Sequence, residues 1–386
     1  MQSTLNSVNS IDSFVEIAVD SMKEVVAVMT KENVCILCSP PGSGKTTFAK
    51  KIQEWLSINK NRRVVYIPMC ELAYQRSGHS TNIGRNSVDI NVFDKFWAKH
   101  TGKTWSSRIN EDDPMDILID DVHVIGNQMA FFWNNLKELA TEGGNKRILM
   151  LSRSELRNMA TASSIGFQKH FGLEHLRLTK TEYISLASKY VVRYPFLSFI
   201  FDGDQDFIYN STRGHAGLIS SSFRYFIEEC SDGGTRNLFL TLISREYKRF
   251  IANSTVYSMI RNWSLNDKEI KFLLEILCLL DNDSRFSVDP EDDKKLMVDK
   301  FIDYGLIVEI NGQLELVAPI MRNELWELAK TNIRLEQFIQ KSIYVLVVQK
   351  INISRKEKRA MVAFLWQKMN SLGASSRKIQ LSSIED

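Results

Sequence analysis

No stretch of this 386-residue chain stays apolar for long. Runs such as residues 34–38 and 117–119 stop far short of the ~20 residues that a membrane-spanning helix needs, so none is expected. The first residues, Met1-Gln2-Ser3-Thr4-Leu5-Asn6, lack the basic segment and apolar core of a secretory signal. The five cysteines are odd in number and follow no framework spacing, which points to free thiols in a reducing, intracellular compartment, cytoplasmic or nuclear. Cys35 and Cys38 form a C-x-x-C, but it lies inside an apolar run, so core packing rather than a metal or redox pair is expected. Charge of one sign is also missing. With 49 basic and 46 acidic residues, the net charge of +3 gives weak support to a surface built to coat nucleic acid. Internal repeats and low-complexity stretches are absent as well.

What is present is an ordinary globular composition, 44% hydrophobic and 25% charged, over a length that suggests two or three domains. Residues 1–31 carry Val15, Ile17, Ala18, Met22, Val25, Val26 and Met29 at helical spacing. Residues 33–38 then read as a buried strand that enters a Pro/Gly loop, and 46–56 return to helical spacing. Further strands are expected at 63–68, 116–122 and 147–152, with a fifth at 176–178. One helix is expected within 71–112, on Phe93, Phe96 and Trp97, and another at 129–140. This alternation predicts an α/β domain over 1–180, a parallel, doubly wound sheet of five strands with helices on both faces.

After residue 180 the strand signals stop. Residues 181–265 read as a helical lid, opened by a capping box at Thr179 and Glu182. Residues 266–330 change rhythm: helices at 266–280 and 292–304, a hairpin at 306–317 turning on Asn311-Gly312, and a helix at 319–329. Helices followed by a tight hairpin suggest a winged helix. Residues 331–386 form a C-terminal helical tail that becomes polar from Leu372.

The strongest chemical signal is Ser39-Pro40-Pro41-Gly42-Ser43-Gly44-Lys45-Thr46-Thr47, between the first strand and its helix. It fits G-x-x-x-x-G-K-[ST] except that Ser39 replaces the first glycine. Glycines let backbone N–H groups turn towards phosphate oxygens, and the following helix aims its positive end at the same place. Pro41, Gly42, Ser43, Gly44, Lys45, Thr46 and Thr47 are therefore candidate nucleotide contacts. Lys45 reaches the β- and γ-phosphates and the Thr46 hydroxyl ligates Mg²⁺. The second signal is Ile117-Leu118-Ile119-Asp120-Asp121, an apolar strand ending in two acids. Asp120 is the candidate for the metal shell. Asp121 is either the group that polarises the attacking water, one methylene shorter than the more usual glutamate, or a helix N-cap. Ser152 and Arg153 end the fourth strand, where a polar residue meets a γ-phosphate; the alternative for Arg153 is a surface arginine. In Thr212-Arg213-Gly214-His215-Ala216-Gly217, His215 either touches the nucleotide from the lid or belongs to a turn joining two helices.

Together these segments, SPPGSGKTT, ILIDDVH, ILMLSRSE and TRGHAG over residues 33–330, resemble the STAND and AAA+ branches of P-loop ATPases. The STAND branch carries a G-x-P contact to the nucleotide; Gly214-His215-Ala216 stands at that place without the proline. The segments FWNNLKE (132–138), LTKTEY (178–183), TRGHAGLI (212–219) and LVAPIMRNELW (316–326) also resemble the ATPase part of the Crinkler-type effectors of oomycetes and fungi. That second resemblance implies secretion into a host and action inside its cells. It also implies a header and a nuclease domain that this sequence does not display.

The expectation is thus a switch that binds ATP/ADP with Mg²⁺ and hydrolyses ATP, hydrolysis releasing the lid, and that acts on a protein partner or a second copy of itself. Arg76, Arg85 and Arg108 stand unranked as possible arginine fingers. One alternative is a DNA-binding ATPase using the winged helix. Its helix over 289–303 is acidic; the basic run 355–359 suits phosphates better, though a solvated helix face is the simpler account of that run. The other alternative is a nucleotide-binding scaffold that does not turn over.

Overall fold

Alternation within each strand decides the architecture. Cys35 and Leu37 point to one side of their strand and Val34 and Ile36 to the other, and both sides are buried. Strands apolar on both faces need helices on both faces.

The structure, a computed structural model, describes residues 19–59, 62–72, 90–102, 104, 114–124, 132–133, 136, 145–153, 170–201, 206–230, 241–242, 244–257, 265–279, 285–286, 292–310, 312–322 and 325. Its elements run α1 (Val19–Glu32), β1 (Val34–Cys38), α2 (Lys45–Asn59), β2 (Arg63–Pro68), α3 (Ile90–Thr101), β3 (Met115–Asp120), β4 (Lys146–Ser152), β5 (His170–Phe171), α4 (Lys180–Arg193), α5 (Asp206–Thr212), α6 (Ala216–Cys230), α7 (Arg245–Ala252), α8 (Asp267–Leu279), β6 (Arg285–Phe286), α9 (Asp292–Asp303), β7 (Ile307–Ile310) and β8 (Gln313–Leu316). The chain divides into two compact units, residues 1–263 with 275–324 and residues 264–274 with 325–386. In the second unit Asn266 and Glu269 cap each other reciprocally, side chain to backbone N–H, at 3.0 and 2.8 Å. Everything below belongs to the first unit.

The main sheet is parallel, in the order β2-β3-β4-β1-β5. One face packs Ile36, Ile67, Ile117, Ile119, Ile148 and Met150 under Phe93, Phe96 and Trp97 of α3 and under Phe132, Trp133 and Leu136. The other packs Cys35, Leu37, Leu118, Leu149 and Leu151 under Met22, Val25 and Met29 of α1 and Phe48 and Ile52 of α2. Cys35 and Cys38 are three apart on one strand, so they face opposite sides of the sheet. Neither is in a disulfide, and burial pushes the Cys35 thiol up to about 12.

The fifth strand is a correction. Residues 176–178 form no strand; β5 is the two-residue pairing of His170 and Phe171 with Ile36 and Leu37. A helical turn, Leu173–His175, intervenes, and Leu176 and Leu178 are buried without joining the sheet. Their apolar character came from packing, which a three-residue run cannot separate from pairing. Of the helix expected at 129–140, Phe132, Trp133 and Leu136 are described and are helical. The lead-in before residue 19, Arg76, Arg85, Arg108, the basic run 355–359 and most of the expected tail lie outside the described residues.

Past the sheet, α4 begins at the expected capping box: the Glu182 N–H donates to the Thr179 hydroxyl and the Thr179 N–H to the Glu182 carboxylate. β6, β8 and β7 form an antiparallel sheet in that order. Ile310 faces Gln313 across a two-residue turn in which Gly312 takes φ 75°. β6 had no signal in the sequence, because two residues carry no period. Among the described residues, no helix is long and apolar enough to cross a membrane.

Candidate functional site

Strand register brings the site together. β4 lies between β1 and β3, with Cys38 opposite Ser152 and Ile119 opposite Met150. The loop after β1, the acids after β3 and Ser152-Arg153 therefore share the carboxyl edge of the sheet, where open α/β sheets take ligands.

Between β1 and α2 the loop turns on Gly42 at φ 69° and Gly44 at φ 99°, conformations that glycine adopts without strain. The Ser39 N–H donates to the Ser152 carbonyl at 3.1 Å, tying the loop to β4. Lys45 opens α2 and is 8% exposed. Its ammonium folds back on the loop, donating to the carbonyls of Ser39 at 2.6 Å and Pro40 at 2.7 Å. Burial lowers it to about 8; Asp120 and Asp121 oppose that shift and Arg153 adds to it.

Thr46, next along α2, donates its hydroxyl proton to Asp120 Oδ2 at 2.6 Å. The Tyr66 hydroxyl donates to the same oxygen at 2.7 Å, and the Asp121 N–H donates to Oδ1 at 2.9 Å. Asp121 itself has φ 55°. That is the left-handed region rather than the extended backbone of an N-cap, and non-glycine residues held there gather at functional sites. Burial raises the Asp121 carboxyl and the charge of Asp120 adds to it, while Lys45 and Arg153 pull it down. His123 sits one turn on, its Nδ1 3.9 Å from Asp121 Oδ1 and without a hydrogen-bond partner. Burial, then Arg153 and Lys45, lower it to about 4, so the imidazole is neutral near pH 7. Cys70, just after β2, has its thiol pushed up by burial and by Asp121 and Asp120.

The segment that joins α5 to α6 reaches the loop. His215 directly precedes α6 and is fully buried. Its Nδ1 accepts the Leu218 N–H at 3.3 Å, and its Nε2 has no partner. Burial, Arg177 and Lys45 hold it at about 3. Gly217 packs on the Gly42 carbonyl, and a Cβ on Gly44 would lie 3.6 Å from the Ala216 Cβ. From the turn between α9 and β7, Gly305 comes so close that a Cβ there would stand 2.9 Å from Pro41 and 3.1 Å from Pro40.

Every predicted contact from Pro41 to Thr46, with Asp120, Asp121, Ser152, Arg153 and His215, thus gathers at one edge; Thr47 follows on the first turn of α2 and is half-buried. The charge of Arg153 is felt at Lys45, Asp121 and His123. Four buried polar atoms around the loop, Ser39 Oγ, Ser43 Oγ, Ser152 Oγ and His215 Nε2, lack a protein partner. Buried polar groups are rarely left so, and a polyanion suits them. Tyr66 and His123 were not singled out from the sequence. The DDVH run could have flagged His123; only strand register reveals Tyr66.

Residues 14–179 match Novel STAND NTPase 3. The matched segment is thus similar to a STAND-type P-loop NTPase domain and takes in the main parallel sheet and its phosphate loop. No curated protein matches the chain. Among solved structures, a Walker-type ATPase of Pyrococcus abyssi is similar at 10% identity and a TM-score of 0.48, over 80% of this chain and 95% of that one. The Aeropyrum pernix ORC2 protein, solved in ADPNP and ADP complexes, is similar at 13% identity and a TM-score of 0.41, over 86% and 94%. Domain III of the Thermotoga maritima replication initiation protein DnaA is similar at 15% and 0.39, over 61% and 95%.

Proposed function

We propose that this protein binds ATP with Mg²⁺ and hydrolyses it as a switch whose lid and antiparallel sheet respond to the nucleotide. The observation that carries this reading is the 2.6 Å hydrogen bond from Thr46 to Asp120, which joins the phosphate loop to the acidic strand end. Oxygen donors of this kind suit a hard divalent cation, which takes few protein ligands and completes its shell from phosphates and water. Thr46 and Asp120 would hold the cation, and it would supply charge neutralisation on the phosphate oxygens.

The chain's own groups do the rest. Loop amides and Lys45 grip the phosphates; on binding, Lys45 exchanges the Ser39 and Pro40 carbonyls for phosphate oxygens. Asp121, raised by burial, takes the proton from the attacking water. His123, its Nδ1 3.9 Å from Asp121 Oδ1, lies beside that carboxylate and shapes the place where it meets the water. Ser152 and Arg153 sense the γ-phosphate, and His215 donates from the lid.

A switch reading is favoured over a static scaffold by where the later segments pack. Gly217 and Gly305 both lie against the phosphate loop. Any change in the loop is therefore felt by the lid and by the antiparallel sheet, which we read as the wing of a winged helix. Within an effector of the Crinkler type, this switch would be the ATPase part.

The test is phosphate release by the wild type, Lys45→Ala and Asp121→Asn. Turnover by the wild type alone, with ATP still bound by Asp121→Asn, is expected. Equal release by all three refutes the catalytic assignment; binding without release by the wild type makes the protein a non-hydrolysing scaffold.

A further inference from the structure

Asp120 receives more hydrogen bonds than a phosphate loop supplies. In the β2–β3 register Tyr66 lies opposite Leu118, two residues before Asp120, so Tyr66, Leu118 and Asp120 share one face of the sheet. That face packs under α2, whose first turn carries Thr46. The half-buried phenol runs forward along β3 and ends on Asp120 Oδ2 at 2.7 Å, beside the Thr46 hydroxyl at 2.6 Å. With the Asp121 N–H on Oδ1 at 2.9 Å, three donors from three segments fix the carboxylate.

The two hydroxyls differ in one respect. Thr46 must turn a lone pair towards a bound cation while keeping its proton on Asp120; Tyr66 needs no rearrangement. A side chain at a strand tip otherwise rotates freely about its last bond, and partners of a metal-binding carboxylate commonly set its orientation.

Resting on the ATP–Mg²⁺ reading of this site, we propose that Tyr66 is a positioning residue: its hydroxyl aligns Asp120 for the divalent cation. It touches neither nucleotide nor the reacting atoms and acts through the carboxylate alone. Its contribution is to cation-dependent binding, not to nucleotide grip.

The test is Tyr66→Phe, which removes one oxygen and leaves the ring packing. Binding of a fluorescent ATP analogue is titrated in chelator and then at rising Mg²⁺, with bound Mn²⁺ counted separately by its EPR signal. We expect unchanged affinity in chelator, a Mg²⁺ midpoint raised about tenfold and a matching loss of bound Mn²⁺. The same substitution in an Asp120→Asn background should have no further effect, since Tyr66 acts through that carboxylate. Equal Mg²⁺ midpoints for wild type and Tyr66→Phe overturn the inference while leaving the nucleotide site standing. So does an equal loss of affinity with and without Mg²⁺, which marks a purely structural role. Failure of the wild type to bind the analogue at all is instead the failure of the proposed function.

Discussion

Gly217, in the first turn of α6, lies against the carbonyl oxygen of Gly42, with no room between them for a Cβ. The same Cβ would stand 3.3 Å from Val256, so the side chain has no open direction. Gly217→Ala must push the phosphate loop or the helix away. The expected result is at least a tenfold loss of ATP affinity, the scale on which small misplacements act at such sites. A cost of about 1–3 kcal/mol in stability should accompany it, as for other overpacked positions. A binding titration beside a urea melt checks both.

A second fastening is electrostatic. Glu315 of β8, 4% exposed, pairs with Arg177 at 2.6 Å and with Arg213 at 2.6 Å. Arg177 also donates to the Val317 carbonyl at 3.1 Å. The segment leaving the sheet, the lid and the hairpin are thus joined at one buried carboxylate. Glu315→Gln leaves two guanidinium groups short of a counter-charge and should cost about 3 kcal/mol. Asp206→Asn, which breaks the exposed pair with Lys180, should cost less than about 1 kcal/mol. Urea midpoints of the two variants, measured side by side, test the contrast.

His215 predicts an acid response. Burial and the charges of Arg177 and Lys45 hold it at about 3, below its ordinary 6.5. Between those values the unfolded chain binds a proton that the folded chain refuses. Stability is then full above pH 6.5 and falls as the pH drops towards 3. His215→Asn keeps an acceptor for the Leu218 N–H but does not titrate. Its denaturation midpoint should fall less than that of the wild type when the pH is taken from neutral to mildly acid.

His123 predicts a separation of binding from turnover. Truncation to His123→Ala removes the neutral imidazole beside Asp121 but nothing that grips phosphate. Steady-state phosphate release should drop by at least about tenfold, while ATP affinity stays within twofold of the wild type.

How much of this was legible beforehand depended on length scale. The phosphate loop, β1 and α2 were plain in the order of Pro40 to Thr47, because consecutive residues carry the whole geometry. β3 and β4 were legible from runs apolar at every position. Tyr66, Gly305 and the Arg177–Glu315 pair were not, since each depends on which residue lies opposite another in space. Leu176 and Leu178 misled because a buried turn and a buried strand use the same residues. The position of Asp121 at a strand end is legible, but its left-handed backbone is not, since aspartate adopts other regions far more often.

The central claim is that the amides before Lys45, its ammonium and the Asp120 edge together hold a triphosphate. Equilibrium binding of ATP with Mg²⁺ to the wild type and to Lys45→Ala tests it most directly. Saturable binding by the wild type, lost in the variant up to millimolar ATP, is the predicted result. No saturation by the wild type at millimolar ATP, or equal saturation by both proteins, contradicts it.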